Sequence, residues 1–147
     1  MKYYEKLFKD TPVVFCGINN FNEKLIEKYK KWFTGVAEET DILGTIEIAL
    51  KLHPDTNQIY VINDITTTGL AMKREFLKVS SNFFHKANFI MIENPDMREL
   101  KEEVEKIPPK SIVLLLLVNR DKTGNFFAYE ESLDLLYPHI KSPIYSV

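Results

Sequence analysis

Apolar residues along this chain follow two alternating patterns. Short runs rich in β-branched and aromatic residues, bounded by turn formers, occupy residues 13–17, 58–62, 88–92, 112–118 and 143–147, and each predicts a strand. Between the runs, apolar residues recur three or four positions apart, the spacing that gathers them on one face of a helix. Phe21, Leu25, Tyr29 and Trp32 make the first such face, and Ile42, Ile46, Ala49, Leu50 and His53 the second. The same spacing returns in Met72, Phe76, Val79 and Phe83, in Met97, Leu100, Val104 and Ile107, and in Tyr129, Leu133 and Leu136. Prolines punctuate these segments: Pro54, Pro108-Pro109 and Pro138 each stand where a helix should stop. Asn94-Pro95-Asp96 predicts a cap, a first-turn proline and an acid suited to the helix dipole.

Strands alternating with helices imply parallel pairing through right-handed crossovers, and the unbroken apolar stretch 112–118 suits a central strand covered on both faces. The expected fold is therefore α/β, a three-layer α/β/α arrangement around a mainly parallel, doubly wound sheet. Within it, strands 58–62 and 112–118 should lie inside. Residues 33–40, 63–68 and 119–127 read as irregular, and Thr34-Gly35-Val36 suggests a chain crossing between two units.

Composition narrows the function. A chain of 147 residues can bury roughly two-thirds of its unfolded surface. Its net charge of −2 is mixed along the sequence, with no basic stripe, so neither nucleic acid nor an anionic membrane is an expected partner. The longest apolar run falls far short of the ~20 residues of a membrane-spanning helix. The charged start, Met1-Lys2-Tyr3-Tyr4-Glu5-Lys6, does not resemble a secretory signal. Cys16 is the only cysteine, which excludes an internal disulfide or a cysteine zinc cage. Lying among Val13, Val14 and Phe15, it is expected to be buried and unreactive.

Ligands of open parallel sheets sit beyond the carboxyl ends of the strands. Those ends carry Asn19-Asn20, Asn63-Asp64 with Thr66-Thr67-Thr68-Gly69, Glu93-Asn94, and Asn119-Arg120-Asp121. Amides and hydroxyls of this kind hydrogen-bond a polar solute without supplying a nucleophile and base. The threonine turn also opens a helix, whose first N–H groups favour an anion. Taken singly, each residue would serve equally well as a turn closer or helix cap; three amide-bearing strand ends in one sheet favour a shared, exposed site. Signs of catalysis are sparse. His53, His85 and His139 are scattered, and the serine-elbow, Walker A and dinucleotide glycine motifs are absent. Glu99, Glu102, Glu103 and Glu105, mixed with Lys101 and Lys106, read as a solvated helix face. No catalytic residues, metal ligands or cofactor are expected.

The segment from Thr11 to Asn20 (TPVVFCGINN), then Thr34-Gly35-Val36, a helix ending Leu52-His53-Pro54, and QIYVIND at 58–64 resemble the ABC-type substrate-binding family with the type I periplasmic-binding-protein fold. The resemblance implies two α/β lobes closing on a small polar solute, such as an amino acid or similar metabolite. It implies a periplasmic or extracellular setting, in a transporter component or in the sensor domain of a membrane-associated histidine kinase. Residues 1–36 would be the tail of the first lobe and its crossing, and 37–147 the second lobe. Asn19 and Asn20 would lie on the first-lobe rim, and Asn63, Asp64, Thr66, Thr67, Thr68, Asn119 and Asp121 on the second. The earlier part of the first lobe and a return segment after Tyr145-Ser146-Val147 would lie outside this chain, leaving a surface through which a homodimer could form.

Two other readings compete. A receiver-like phosphoacceptor domain of flavodoxin type would need an acidic pair and a lysine near strand ends, for which Asp64, Asp121 and Lys141 are the candidates. A nucleotide-cofactor enzyme would need a glycine-rich phosphate turn, which this sequence lacks.

Overall fold

The structure is a computed structural model that describes residues 3–19 and 21–147. The chain divides into two compact units, Met1–Thr40 and Asp41–Val147.

In the second unit four strands form one fully parallel sheet in the order β4-β3-β5-β6. They are β3 (Gln58–Asn63), β4 (Asn88–Glu93), β5 (Ser111–Leu117) and β6 (Ile144–Ser146). As expected, the inner pair is β3 and β5. Helices α2 (Ile42–Leu52) and α3 (Thr67–Ser80) pack on one face, and α4 (Met97–Val104) and α5 (Tyr129–Leu136) on the other. The fold is thus α/β with three layers.

Period-two alternation divides β5 between the two cores: Leu114 and Leu116 join Ile46, Phe76, Ile59 and Val61, while Val113 and Leu115 join Leu100, Val104, Leu136 and Ile62. Every residue of β5 is buried. Each such side chain removed from water contributes about 1.5–3 kcal/mol, so this strand anchors the unit. Helix starts are capped locally. The Asp41 carboxylate accepts from the Gly44 N–H at 2.8 Å, and Asp96 from Arg98 N–H at 2.8 Å. The cap of α4 is therefore Asp96, two residues beyond Asn94. Among the described residues no helix is long and apolar enough to cross a membrane.

The first unit departs from expectation in three ways. Residues 33–38, read as irregular, form strand β2 (Phe33–Glu38), paired parallel to β1 (Val13–Asn19). Gly35 belongs there because the strands meet closely: a Cβ on it would stand 2.1 Å from the Phe15 carbonyl oxygen and 2.6 Å from the ring. The expected helix across Phe21–Trp32 is two single 3₁₀ turns, Glu23–Leu25 and Glu27–Tyr29. Ile26 between them leaves helical geometry, at φ −111° and ψ 4°. Aromatic packing takes over from helical periodicity here. Phe21 lies 4.7 Å from Phe15, and Tyr29 contacts the Tyr4 and Phe33 rings at 5.2 and 5.8 Å. The short helix α1 (Tyr4–Leu7) carries Tyr4 into this cluster.

The third departure is Cys16, which is exposed rather than buried. Alternation along β1 turns Phe15 toward Phe21 and Val14 and Cys16 to the opposite face, up to the bulge at Gly17 that breaks the register before Ile18. On that second face of the two-stranded sheet Val14 and Val36 are 77 % and 71 % exposed.

Candidate functional site

The loops after β3, β4 and β5 meet at the carboxyl edge of the second unit, as parallel strands require. Their centre is Asp64, fully buried immediately after β3. One carboxylate oxygen, Oδ1, accepts from the Thr66 N–H at 3.0 Å and the Thr66 hydroxyl at 2.6 Å. The other, Oδ2, accepts from the N–H groups of Asn119 and Arg120 at 2.8 and 3.2 Å. One side chain thus joins the β3–α3 loop to the β5–α5 loop. Thr66 also caps α3, its hydroxyl accepting from Gly69 N–H at 3.1 Å. Gly69 is required by this arrangement, since a Cβ there would stand 2.1 Å from Asp64 Oδ1.

Asn63 braces the same turn from within, donating through Nδ2 to the carbonyls of Asp64 and Gly69, both at 2.9 Å. Its own carbonyl accepts from Asn94 N–H at 3.0 Å, tying in the loop after β4. Lys122 N–H donates to the Pro95 carbonyl at 3.1 Å, and the Lys122 ammonium pairs with Glu99. That carboxylate raises the lysine pKa.

Asp121 forms a second, more local knot. Its Oδ1 accepts from Thr123 N–H, Thr123 hydroxyl and Asn125 N–H at 2.9, 2.7 and 2.9 Å, and its Oδ2 from Asn125 Nδ2 at 3.2 Å. Burial pushes this carboxyl pKa up, but the hydrogen bonds from Thr123 and Asn125 outweigh it and hold the group below the usual carboxylate range.

Several residues expected to be exposed on this rim are at the expected edge but buried. Asn63, Asp64 and Asp121 are buried at 0 %, 0 % and 4 % exposure, because their polar groups are used to shape the loops. Thr66, rather than Thr67 or Thr68, caps α3. Thr67 is exposed and Thr68 and Asn119 are half-buried. Asn20 and the Asn19 side chain lie outside the described residues. Lys141 precedes β6, at the opposite edge of the sheet from Asp64 and Asp121.

Around these knots lies a cleft of about 300 Å³ lined by Ile65, Thr66, Asn94, Arg120, Asp121, Lys122 and Gly124. The Arg120 guanidinium is exposed and makes no ion pair with any described residue. With both aspartates internally satisfied and Lys122 paired, Arg120 supplies the uncommitted charge of the cleft. Sequence reading placed Asn94 and Arg120 at the strand ends without counting them among the ligand-binding residues, and it missed Lys122. The Asp121-x-Thr123-x-Asn125 spacing could have identified the turn, but the Asp64 bridge spans a sequence separation of 55 residues and left no local sign. Of the side-chain oxygens, Asn63 Oδ1 and Asn119 Oδ1 are buried without a hydrogen-bond partner.

Comparison with protein-family models, curated proteins and solved structures finds no match to this chain.

Proposed function

We propose that the second unit is a ligand-binding lobe of a small-solute receptor, of the ABC substrate-binding kind that the sequence resembles. The observation that carries this reading is the cleft at the carboxyl edge, whose three loops are tied to one another before any ligand arrives. Pre-organised loops lose little entropy on binding. Arg120, the Asn94 loop and the first turn of α3 supply donors for a small polar solute bearing a carboxylate, such as an amino acid. On this reading the chain acts by binding rather than catalysis, in a periplasmic or extracellular receptor serving transport or signalling.

Thermal unfolding against a panel of amino acids and small dicarboxylates tests the proposal. A solute at a hundredfold excess over its dissociation constant stabilises the folded state by about 2.7 kcal/mol, a rise on the order of 10 °C for a domain of this size. Arg120→Ala should abolish that rise and leave the ligand-free melting temperature nearly unchanged. If no solute raises the melting temperature, or if Arg120→Ala responds like the parent chain, the reading fails.

A further inference from the structure

A second cleft, of about 570 Å³, lies where α5 overhangs the open edge of β6. Its lining is mostly apolar, with Tyr129, Leu133 and Tyr137 on the helix side and Ile144 and Val147 on the strand side. The first three residues recur four apart and so share one helical face. They are 67 %, 40 % and 69 % exposed. Below them β6 is the terminal strand of the sheet. On the β5 side the Pro143 carbonyl accepts from Val113 N–H at 2.9 Å. Alternation then aims the backbone groups of Ile144 and Ser146 outward. A helical roof with an open strand edge beneath it has the shape of an incomplete sheet layer.

We infer that this edge is the interface for a second copy of this chain, with β6 pairing antiparallel to the β6 of its partner about a two-fold axis. Ile144 and Ser146 would then exchange main-chain hydrogen bonds across the axis, extending the sheet from one copy into the next. The two α5 helices would lie side by side on the same face. Charge favours this orientation. Glu130 lines the cleft at the start of α5, near the carboxyl edge, and Lys141 stands before β6, at the amino edge. Both are exposed and neither makes an ion pair with a described residue. An antiparallel pairing sets the carboxyl edge of one copy beside the amino edge of the other. Each Glu130 thereby approaches the partner's lysine, and the pair occurs twice.

A tyrosine carries roughly 200 Å², so the stripe and strand edge bury on the order of 1,000 Å² over both copies, the lower bound for a specific interface. An interface of that size belongs with transient contacts, so the dimer is expected to form reversibly.

Sedimentation equilibrium of the whole chain over a range of concentrations, at low salt, provides the test. The parent chain should show a reversible monomer–dimer equilibrium. Leu133→Glu should abolish it while circular dichroism remains that of the parent. Glu130→Lys and Lys141→Glu should each weaken dimerisation about tenfold or more, because reversal sets like charges face to face. The double reversal, Glu130→Lys with Lys141→Glu, should restore it. A parent chain that stays monomeric at every concentration overturns the inference. So does a dimer that survives Leu133→Glu, or whose single reversals are not rescued by the double one.

Discussion

Asp64 and Asp121 are two buried carboxylates at neighbouring strand ends, each accepting four hydrogen bonds, and they hold the loops in different ways. Asp121 takes all its donors from Thr123 and Asn125, within its own turn. Asp64 divides its oxygens between Thr66 in one loop and the backbone of Asn119 and Arg120 in another. Equal numbers of bonds therefore perform unequal tasks. The local knot shapes one loop, whereas the bridge fixes two loops relative to each other and so sets the position of Arg120 over the cleft. The difference lies in the kind of donor as well as in reach, since backbone N–H groups cannot turn around to accept.

The largest expected effect comes from breaking the bridge. Asp64→Asn puts an amide NH₂ against either the Thr66 donors or the two backbone N–H groups. It should cost about 3 kcal/mol, nearly as much as Asp64→Ala, because buried donors are left unpaired in both. Chemical denaturation measures this. Hydrogen exchange at Asn119 and Arg120 should accelerate as well, and a loss below about 1 kcal/mol would make the bridge incidental.

Gly69→Ala attacks the same bridge from the helix side. Helix propensity alone would favour alanine by about 1 kcal/mol, so a gain of that size would show that the turn can move aside. The 2.1 Å approach to Asp64 Oδ1 predicts the reverse sign, a loss of about 2 kcal/mol in thermal unfolding.

Asp121→Asn should be the mildest. Its retained oxygen can keep the three bonds made by Oδ1, while the Asn125 amide stays held by its bond to the Thr123 hydroxyl at 2.8 Å, so one hydrogen bond is lost and the cost at neutral pH should be about 1 kcal/mol. The variant should also change the acid limb. The Asp121 carboxyl pKa is held below its unfolded value near 3.9. Its contribution is accordingly full above that value and lost as pH falls through the lower, folded-state pKa. The cost of Asp121→Asn should therefore shrink below about pH 4, which unfolding measured from pH 7 down to pH 2 would reveal. A cost that grows toward low pH would contradict the assignment.

The parallel sheet was legible because its signals are local. Residues 112–118 are apolar at every position, and the following segments change to helical spacing, so β5 and its covering helices could be placed from sequence. β1 shows the limit of the same reasoning. Val13, Val14, Phe15 and Cys16 are as apolar as parts of β5, yet Val14 and Cys16 face outward. Whether an apolar strand has one covered face or two depends on which layers lie over it, a property of distant residues. β2 was missed because Thr34-Gly35 looks like a turn, and only the Phe15 backbone beside it explains the glycine.

At the candidate site the chain order was enough to place Asn63, Asp64, Thr66 and Asn119 at one edge, since parallel strands end on the same side. Their chemistry there was not readable. An aspartate that receives a solute and an aspartate that receives two backbone N–H groups are identical in a one-dimensional pattern. Local periodicity and turn chemistry thus determine which segments are strands, which are helices and which edge collects the polar residues. Tertiary structure alone decides that Asp64 is consumed in holding two loops together while Arg120 is left free. That decision depends on donors brought from 55 residues away, and such closure is a consequence of the assembled sheet.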